Sequence, residues 1–211
     1  GQAIPVRDGM MRKTLRRVAV ALTSALAIVA LAASLPVSFN AAANLVAVLA
    51  RSGGQVVPIA NADLSGTGPG SLVSAVTMPG LAATPAGLKQ QSARVVYRST
   101  NGDDGAPTEV SGAVFVPLGS PPAGGWPVVA FGHGTTGIDE PCAPSLSNDL
   151  MGTASIVAGL TGQGFAVVMP DYEGLGAPGV HPYTDARTAG RNLIDAVRAL
   201  QHTFANVSNR W

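Results

Sequence analysis

A glycine-rich loop with one histidine is the stretch of this chain best suited to chemistry. It reads Gly132-His133-Gly134-Thr135-Thr136-Gly137, with three glycines in six positions. The loop follows Pro127–Phe131, a short apolar run with adjacent β-branched residues, which is typical of a strand buried on both faces. Glycine lets the backbone turn sharply and leave its N–H groups open. A buried strand that ends in such a loop is where an α/β enzyme would place backbone donors for a developing negative charge.

A second polar loop, Pro170–Gly176, follows a second fully apolar run, Phe165–Met169. Its Asp171 is either a catalytic acid or a carboxylate that caps its own exit loop by accepting backbone N–H bonds, and we favour the cap. Glu173 has the same structural interpretation. We predict three substrate-binding residues, with loop packing as the favoured alternative for the histidine: Tyr172, His181 and Tyr183.

Several other kinds of site are excluded by spacing and charge. The three histidines at positions 133, 181 and 202 lack metal-ligand spacing, so we predict no metal. The loop at 132–137 has neither the Lys-Ser/Thr of a P-loop nor the Gly-x-Gly-x-x-Gly pattern, so we predict no cofactor. Cys142 is the only cysteine, and with no basic neighbour it is predicted to be structural. His202 is predicted to be a surface residue near a helix end. A net charge of +1 without a basic cluster outside the N-terminus argues against nucleic acid.

The elements around these loops predict an α/β domain. Two β-branched runs, Arg94–Ser99 and Thr108–Val116, flank Asn101–Gly105 and predict a hairpin. Helical periodicity is predicted over Asp149–Leu160 and over Thr188–Phe204. In the second helix we expect one face to be buried (Leu193, Ile194, Val197 and Leu200) and the other exposed (Arg191, Asp195 and Arg198). Strands that alternate with helices favour a parallel sheet, whose carboxyl ends carry both glycine-rich loops.

The chain divides into four regions by composition. Residues 1–10 precede Met11 and are interpreted as upstream sequence. Residues 11–43 combine a basic start with an apolar run, which predicts a cleaved signal peptide or, as the alternative, an uncleaved membrane anchor. Residues 44–88 are predicted to be a linker and surface arm with a helical turn at Ser71–Ala75. Residues 89–211 form the α/β domain. This organisation predicts a secreted or cell-envelope protein, with membrane association through the N-terminal segment.

The order of these motifs resembles the α/β-hydrolase fold and, within it, the bacterial and fungal secretory lipases. The segments that carry the resemblance lie between Val95 and Trp211 and follow one another in the family's order. They are His133–Gly137, Cys142–Ser145, Pro170–Gly176, His181–Tyr183 and Ala189–Arg198. The resemblance implies an N-terminal half of the fold, with a β-hairpin followed by βαβα and a break before the nucleophile strand.

The resemblance also implies a role for the histidine loop and a missing remainder. The backbone N–H groups of Gly134, Thr135 and Thr136 would form an oxyanion hole, and the His133 imidazole would organise the loop. The alternative to this favoured interpretation is an ordinary strand-to-helix turn. The family's nucleophile lies in Gly-x-Ser-x-Gly, and none of the serines here lies in that pattern. One hypothesis is therefore the N-terminal portion of an exported lipase or esterase that acts on lipid or small ester substrates and needs its C-terminal half. The other is an inactive fragment with a binding role only. Without that half, we expect Pro127–Phe131 to be an exposed, aggregation-prone sheet edge.

Overall fold

The fold is built on one five-stranded sheet with the strand order β1-β2-β3-β5-β4. The computed structural model describes residues 54–211. The strands are β1 (Leu72–Thr77), β2 (Gln90–Thr100), β3 (Pro107–Pro117), β4 (Val128–Ala130) and β5 (Ala166–Pro170). The helices are α1 (Pro79–Ala82), α2 (Ala154–Gly162) and α3 (Ala186–Thr203). The upstream, signal-peptide and anchor predictions for residues 1–43 lie outside the described residues. Among the helices of residues 54–211, none has the length and apolarity of a membrane-spanning segment.

The predicted hairpin is confirmed. Strands β2 and β3 pair antiparallel over their whole lengths, from Gln90 opposite Pro117 to Thr100 opposite Pro107. The Asn101 side chain accepts hydrogen bonds from the N–H groups of Asp103 and Asp104, which closes the turn. This local Asx geometry is the reason an Asn-Gly-Asp-Asp-Gly sequence turns the chain here.

The sheet is mixed, with one parallel pair among the described strands. Strands β4 and β5 run parallel, from Val128 beside Ala166 to Ala130 beside Val168. Strand β5 pairs antiparallel with β3 on its other side. The two apolar runs are therefore the parallel strands that the sequence predicts, and the hairpin extends the same sheet in the antiparallel sense.

Two predicted elements are wrong in type or extent. The predicted helical turn at Ser71–Ala75 is instead part of β1, which pairs antiparallel with β2. Its strand conformation depends on a partner about twenty residues away, so local turn signals misled the prediction. The predicted helix at Asp149–Leu160 begins only at Ala154, because Leu150 and Met151 have positive φ angles of 53° and 50°. Left-handed residues interrupt a right-handed helix.

Helices cover both faces of the sheet. On one face, α3 packs against β2, β3 and β5, with Val95, Val114, Val168, Val197 and Leu200 fully or almost fully buried. On the other face, α2 packs against the alternate residues of β3 and β5. This second cluster contains Phe115, Val157, Val167 and Met169. The alternation along β3 and β5 shows that both faces of these strands are buried, as the continuous apolar sequence of β5 requires.

The buried face of α3 is rotated relative to the predicted one. Ile194 is 40% exposed, whereas Asp195, predicted to be outward, is 3% exposed. The Asp195 carboxylate accepts hydrogen bonds from the Ser99 hydroxyl at 2.8 Å and from the Arg198 guanidinium at 2.5 Å. A buried carboxylate is tolerated when its oxygens are paired in this way. The helix begins at Ala186 because Asp185 caps it, accepting from the N–H of Arg187.

The free edge of β4 is partly covered by the chain segment 206–210. The N–H of Trp126 donates to Asn206 O at 2.9 Å, and the N–H of Ser208 donates back to Trp126 O at 2.8 Å. The N–H of Val128 donates to Arg210 O at 3.1 Å. Because Trp126 and Val207 form a parallel bridge, this segment lies where a further parallel strand would begin. The edge predicted to be exposed is therefore partly paired.

Candidate functional site

The loop at 132–137 follows the carboxyl end of β4 and offers backbone donors. The last strand contact before the loop is the N–H of Phe131, which donates to Val168 O at 2.8 Å. Within residues 54–211, the N–H groups of Gly134, Thr135 and Thr136 donate to no protein acceptor. Gly134 and Thr135 are exposed to solvent. An exposed run of open N–H groups is an arrangement that can bind an anionic oxygen.

Two side chains hold this loop through its carbonyl oxygens. The Tyr172 hydroxyl donates to His133 O at 3.3 Å, and its ring lies 4.7 Å from the imidazole, centre to centre. The His133 Nδ1 lies 2.6 Å from Gly134 O. A carbonyl oxygen only accepts, so Nδ1 carries the proton and donates. Burial raises the pKa of Tyr172, which keeps its hydroxyl protonated as a donor.

The predicted catalytic and substrate-binding residues line one open cleft of about 360 Å³. The loop residues His133, Gly134, Thr135 and Thr136 supply one part of its lining. The β5 exit loop and the segment that leads into α3 supply another part, which contains Tyr172, His181 and Tyr183. The Tyr183 hydroxyl lies 3.4 Å from Thr135 Oγ1. Residues about fifty positions apart are thus brought together at the carboxyl ends of β4 and β5.

Asp171 lies behind the cleft in a buried polar network. Its carboxylate accepts from the Ser111 hydroxyl at 2.6 Å, the Ser145 hydroxyl at 2.5 Å and the Ser145 N–H at 2.8 Å. Arg94 donates to Ser145 Oγ at 2.9 Å and to Gly176 O at 2.6 Å. Burial raises the pKa of Asp171 although these hydrogen bonds and Arg94 act to lower it. The interpretation of Asp171 as a cap for its own exit loop is wrong. The groups that donate to its carboxylate lie instead on β3 and in the 144–146 turn.

Glu173 and His181 fix the other side of the exit loop. The N–H of Glu173 donates to Asn192 Oδ1 at 2.9 Å, and its carboxylate accepts from Asn101 at 3.3 Å. The His181 Nδ1 lies 2.8 Å from Glu173 O and donates to it. His181 therefore packs within the loop, the favoured alternative, and it also lines the cleft.

The remaining candidates do not line the cleft. Cys142 is a free, half-buried thiol packed against Gly137. The His202 Nδ1 lies 3.3 Å from a carboxylate oxygen of Asp63, so this helix-end histidine pairs with the segment predicted to be an arm. Across residues 54–211, no group of three potential ligands is arranged to hold a metal ion.

Sequence reasoning missed two residues that shape the site. Thr184 lines the cleft with a φ angle of 70°, which is rare for a β-branched residue. Asn192 is fully buried and joins α3 to both the exit loop and Ser99. One sequence signal could have identified Asn192 as a buried polar residue. Its spacing of four residues from Ala196, and of eight from Leu200, places its amide on the apolar side of the predicted helix. No sequence signal marks Thr184.

Comparison with known proteins agrees with this geometry. A family model described as Secretory lipase matches residues 148–210. The rice cell wall degrading esterase LipA from Xanthomonas oryzae is 28% identical, with a TM-score of 0.53. Its match covers 67% of this chain and 40% of the esterase. The chain has an α/β-hydrolase fold and resembles the secretory lipases.

Lipase A from Candida antarctica gives a TM-score of 0.54 at 21% identity, which supports the fold alone. That match covers 68% of this chain and 34% of the lipase. The chain thus spans about two fifths or less of the length of these solved relatives. A search of curated proteins finds no match. The α/β-hydrolase fold and the lipase likeness are confirmed.

Proposed function

We propose that the protein to which this chain belongs is an exported serine hydrolase that cleaves carboxylic esters. In this proposal, the Gly134–Thr136 amides bind the oxyanion of the tetrahedral intermediate. A serine from Gly-x-Ser-x-Gly attacks the ester carbonyl, and a histidine with its acidic partner moves the proton. The 211 residues supply the oxyanion loop and the cleft, and they contain no serine in that pattern.

The observation that carries the proposal is the set of open amides at the carboxyl end of β4. Among the described residues no group accepts from these amides, so an anionic ligand can take up their hydrogen bonds without displacing a protein partner. The family likeness supplies the reaction class. The match to secretory lipases also fits export, and we propose that residues 11–43 act as the signal peptide or anchor.

Apolar side chains near the cleft favour a substrate with a hydrocarbon part. Tyr183, which lines the cleft, is 53% exposed. The cleft is also lined by the apolar residues Leu175, Pro182, Ala186 and Ala189. Apolar surface of this kind near a cleft binds acyl chains better than polar groups. Lipid or small alkyl esters are therefore the proposed substrates.

The decisive test removes one amide donor and uses a second substitution at the same residue to control for loss of the side chain. The protein is expressed to the end of its open reading frame and assayed with p-nitrophenyl butyrate. Thr135→Pro deletes the N–H, and we expect kcat to fall by about 10²–10³-fold. Thr135→Ala, the matched control, keeps the N–H and removes the hydroxyl near Tyr183. Its kcat should stay within about threefold of the unsubstituted protein, because a solvent-exposed neutral hydrogen bond contributes little.

The result that would refute the proposal is equal loss in both variants or no loss in either. Circular dichroism spectra should match among the three proteins, so that misfolding does not account for a loss. No hydrolysis by the unsubstituted protein would exclude the esterase assignment altogether.

A second candidate function is ester or lipid binding without turnover. It is favoured by the absence of Gly-x-Ser-x-Gly from the 211 residues. We expect these residues alone to show no esterase activity and no labelling by a serine-reactive phosphonate. Labelling of this chain in isolation would mean that one of its own serines is the nucleophile.

A further inference from the structure

We propose that Tyr172 is a positioning residue that aims the Gly134 amide into the cleft, acting together with His133 on the adjacent peptide. This inference rests on the proposed oxyanion function and assigns residues that control it. Tyr172 touches the loop carbonyl and acts on the reaction only through the loop.

The argument begins with the planarity of the peptide bond. In a trans peptide the carbonyl oxygen and the N–H point in opposite directions. The Tyr172 hydroxyl holds His133 O, which belongs to the same peptide as the Gly134 N–H. The His133 Nδ1 holds Gly134 O, which belongs to the same peptide as the Thr135 N–H. The oxygens of two successive peptides are thus held by side chains, and among residues 54–211 their two N–H groups have no protein acceptor.

The hydrogen bonds to the two carbonyl oxygens also make the N–H groups of the same peptides stronger donors. A hydrogen bond accepted by a peptide oxygen polarises the N–H of the same peptide, so chains of such bonds are cooperative. The order Tyr172 hydroxyl, His133 carbonyl, Gly134 N–H and bound oxyanion forms one such chain. Tyr172 is therefore expected to change how strongly an anion is held as well as where the amide points.

Tyr172 itself is held in an unusual conformation. Its φ angle is 73°, in the left-handed region that a bulky side chain rarely adopts. The residue before it is anchored by the bond from the Asp171 N–H to Ser111 O, at 2.8 Å. The residue after it is anchored by the bond from the Glu173 N–H to Asn192 Oδ1. Strained residues persist where the surroundings over-determine them and they cluster at functional sites, which agrees with a positioning role.

Space for the hydroxyl depends on Gly132. A Cβ built at Gly132 would lie 2.9 Å from the Tyr172 hydroxyl oxygen. Gly132 does not have a positive φ angle, so alanine fits the backbone and conflicts only with that hydroxyl. Gly132→Ala therefore displaces the hydroxyl while the tyrosine stays in place.

The test uses a tetrahedral anion in place of the intermediate. Butylphosphonate is titrated into the isotopically labelled chain, and the amide resonances of Gly134 and Thr135 are followed by NMR. We expect those two resonances to move, and Tyr172→Phe to weaken binding about threefold to tenfold, the range for one neutral hydrogen bond. Gly132→Ala should weaken it similarly. Ser155→Ala, which removes an exposed hydroxyl on α2 outside the cleft, is the control and should bind as the unsubstituted chain does.

A packing role for the Tyr172 ring would give a different result. Phenylalanine keeps the ring against His133, so unchanged binding in Tyr172→Phe would overturn the proposal. Gly132→Ala still tests the hydroxyl if Tyr172→Phe does not fold, and unchanged binding in it would overturn the proposal equally. If butylphosphonate shifts no amide resonance of the loop in the unsubstituted chain, the proposed oxyanion function itself is refuted. If those resonances shift but neither variant weakens binding, only the proposed role of Tyr172 is refuted.

Kinetics of the protein expressed to the end of its open reading frame separate positioning from substrate binding. Positioning of an oxyanion donor lowers kcat at nearly constant KM, because the interaction strengthens in the transition state. Tyr172→Phe should therefore lower kcat by a factor similar to its loss of phosphonate affinity. A raised KM at constant kcat would instead assign Tyr172 to ground-state substrate binding and overturn the positioning role.

Discussion

Replacing Asp171 tests whether the buried network behind the cleft holds the fold together. Asp171 is fully buried and accepts three hydrogen bonds, two from Ser145 and one from Ser111. Asp171→Ala leaves the Ser145 N–H without its acceptor and removes the carboxylate whose charge the nearby Arg94 favours. Breaking a buried charged network by removing one partner costs about 3–5 kcal/mol of unfolding free energy. For a protein of this size, that lowers Tm by roughly 6–20 °C.

Asp171→Asn is the matched, nearly isosteric control. Its carbonyl oxygen can still accept from the Ser145 N–H. The Ser111 hydroxyl has a second acceptor, Leu175 O at 3.0 Å, and can rotate toward it. We therefore expect Asp171→Asn to lower the free energy of unfolding by about 1–2 kcal/mol. This is the cost of rearranging hydrogen bonds without leaving a donor unpaired. Urea unfolding followed by circular dichroism measures both variants.

The pH dependence gives a second, independent measure. Because burial raises the pKa of Asp171, the folded state binds its proton more tightly than the unfolded state does. Ionisation of Asp171 therefore lowers stability as pH rises from the unfolded pKa through the raised folded one. Asn does not titrate, so the stability advantage of the unsubstituted protein over Asp171→Asn should shrink over that interval.

Two results would refute this reasoning. A cost below about 1 kcal/mol for Asp171→Ala would mean that the network contributes no more than a surface pair. The second result would be a stability advantage of the unsubstituted protein over Asp171→Asn that grows with pH. It would mean that Arg94 and the hydrogen bonds outweigh burial and lower the pKa of Asp171 in the folded state.

Three further predictions concern packing around the site. Gly112→Val would place a Cβ 2.7 Å from Met169 O and should cost about 1–3 kcal/mol by overpacking, measured by urea unfolding. Gly137→Ala should lower stability by at least about 1 kcal/mol, because φ is 141° and the Cβ would overlap Cys142; unchanged Tm would contradict it. Ending the chain at Ala205 removes the hydrogen bonds along β4 and should increase self-association, measured by light scattering, whereas equal mass for both chains would contradict it.

The sequence determined the elements whose signals are local. The hairpin follows from an Asn-Gly-Asp-Asp-Gly turn between β-branched runs, and each side of that turn pairs with a neighbour close along the chain. Strands β4 and β5 follow from continuous apolar runs, which only burial on both faces explains. The loop at 132–137 was identifiable from its glycines, and motif order was enough for the lipase resemblance.

Elements with distant partners were decided by the tertiary structure. Strand β1 lies in a region rich in small residues, and its extended form depends on pairing with β2. The buried position of Asp195 depends on its hydrogen bond with the Ser99 hydroxyl. Ser99 lies on β2, so the periodicity of the helix sequence does not reveal this partner. In each case the local sequence favours a different conformation or orientation. Hydrogen bonds that form only in the folded chain override that preference.

The candidate site shows the same division. Residue type predicted that the loop after His133 would offer amides, because glycine permits an open backbone. Only the folded structure brings the Tyr172 hydroxyl onto the His133 carbonyl and leaves the following amides without an acceptor in the described part of the chain. That arrangement depends on parallel pairing of β4 and β5, which places two loops about forty residues apart at one edge of the sheet. Sequence determines which groups are available, and the relative positions of the strands decide which of them meet.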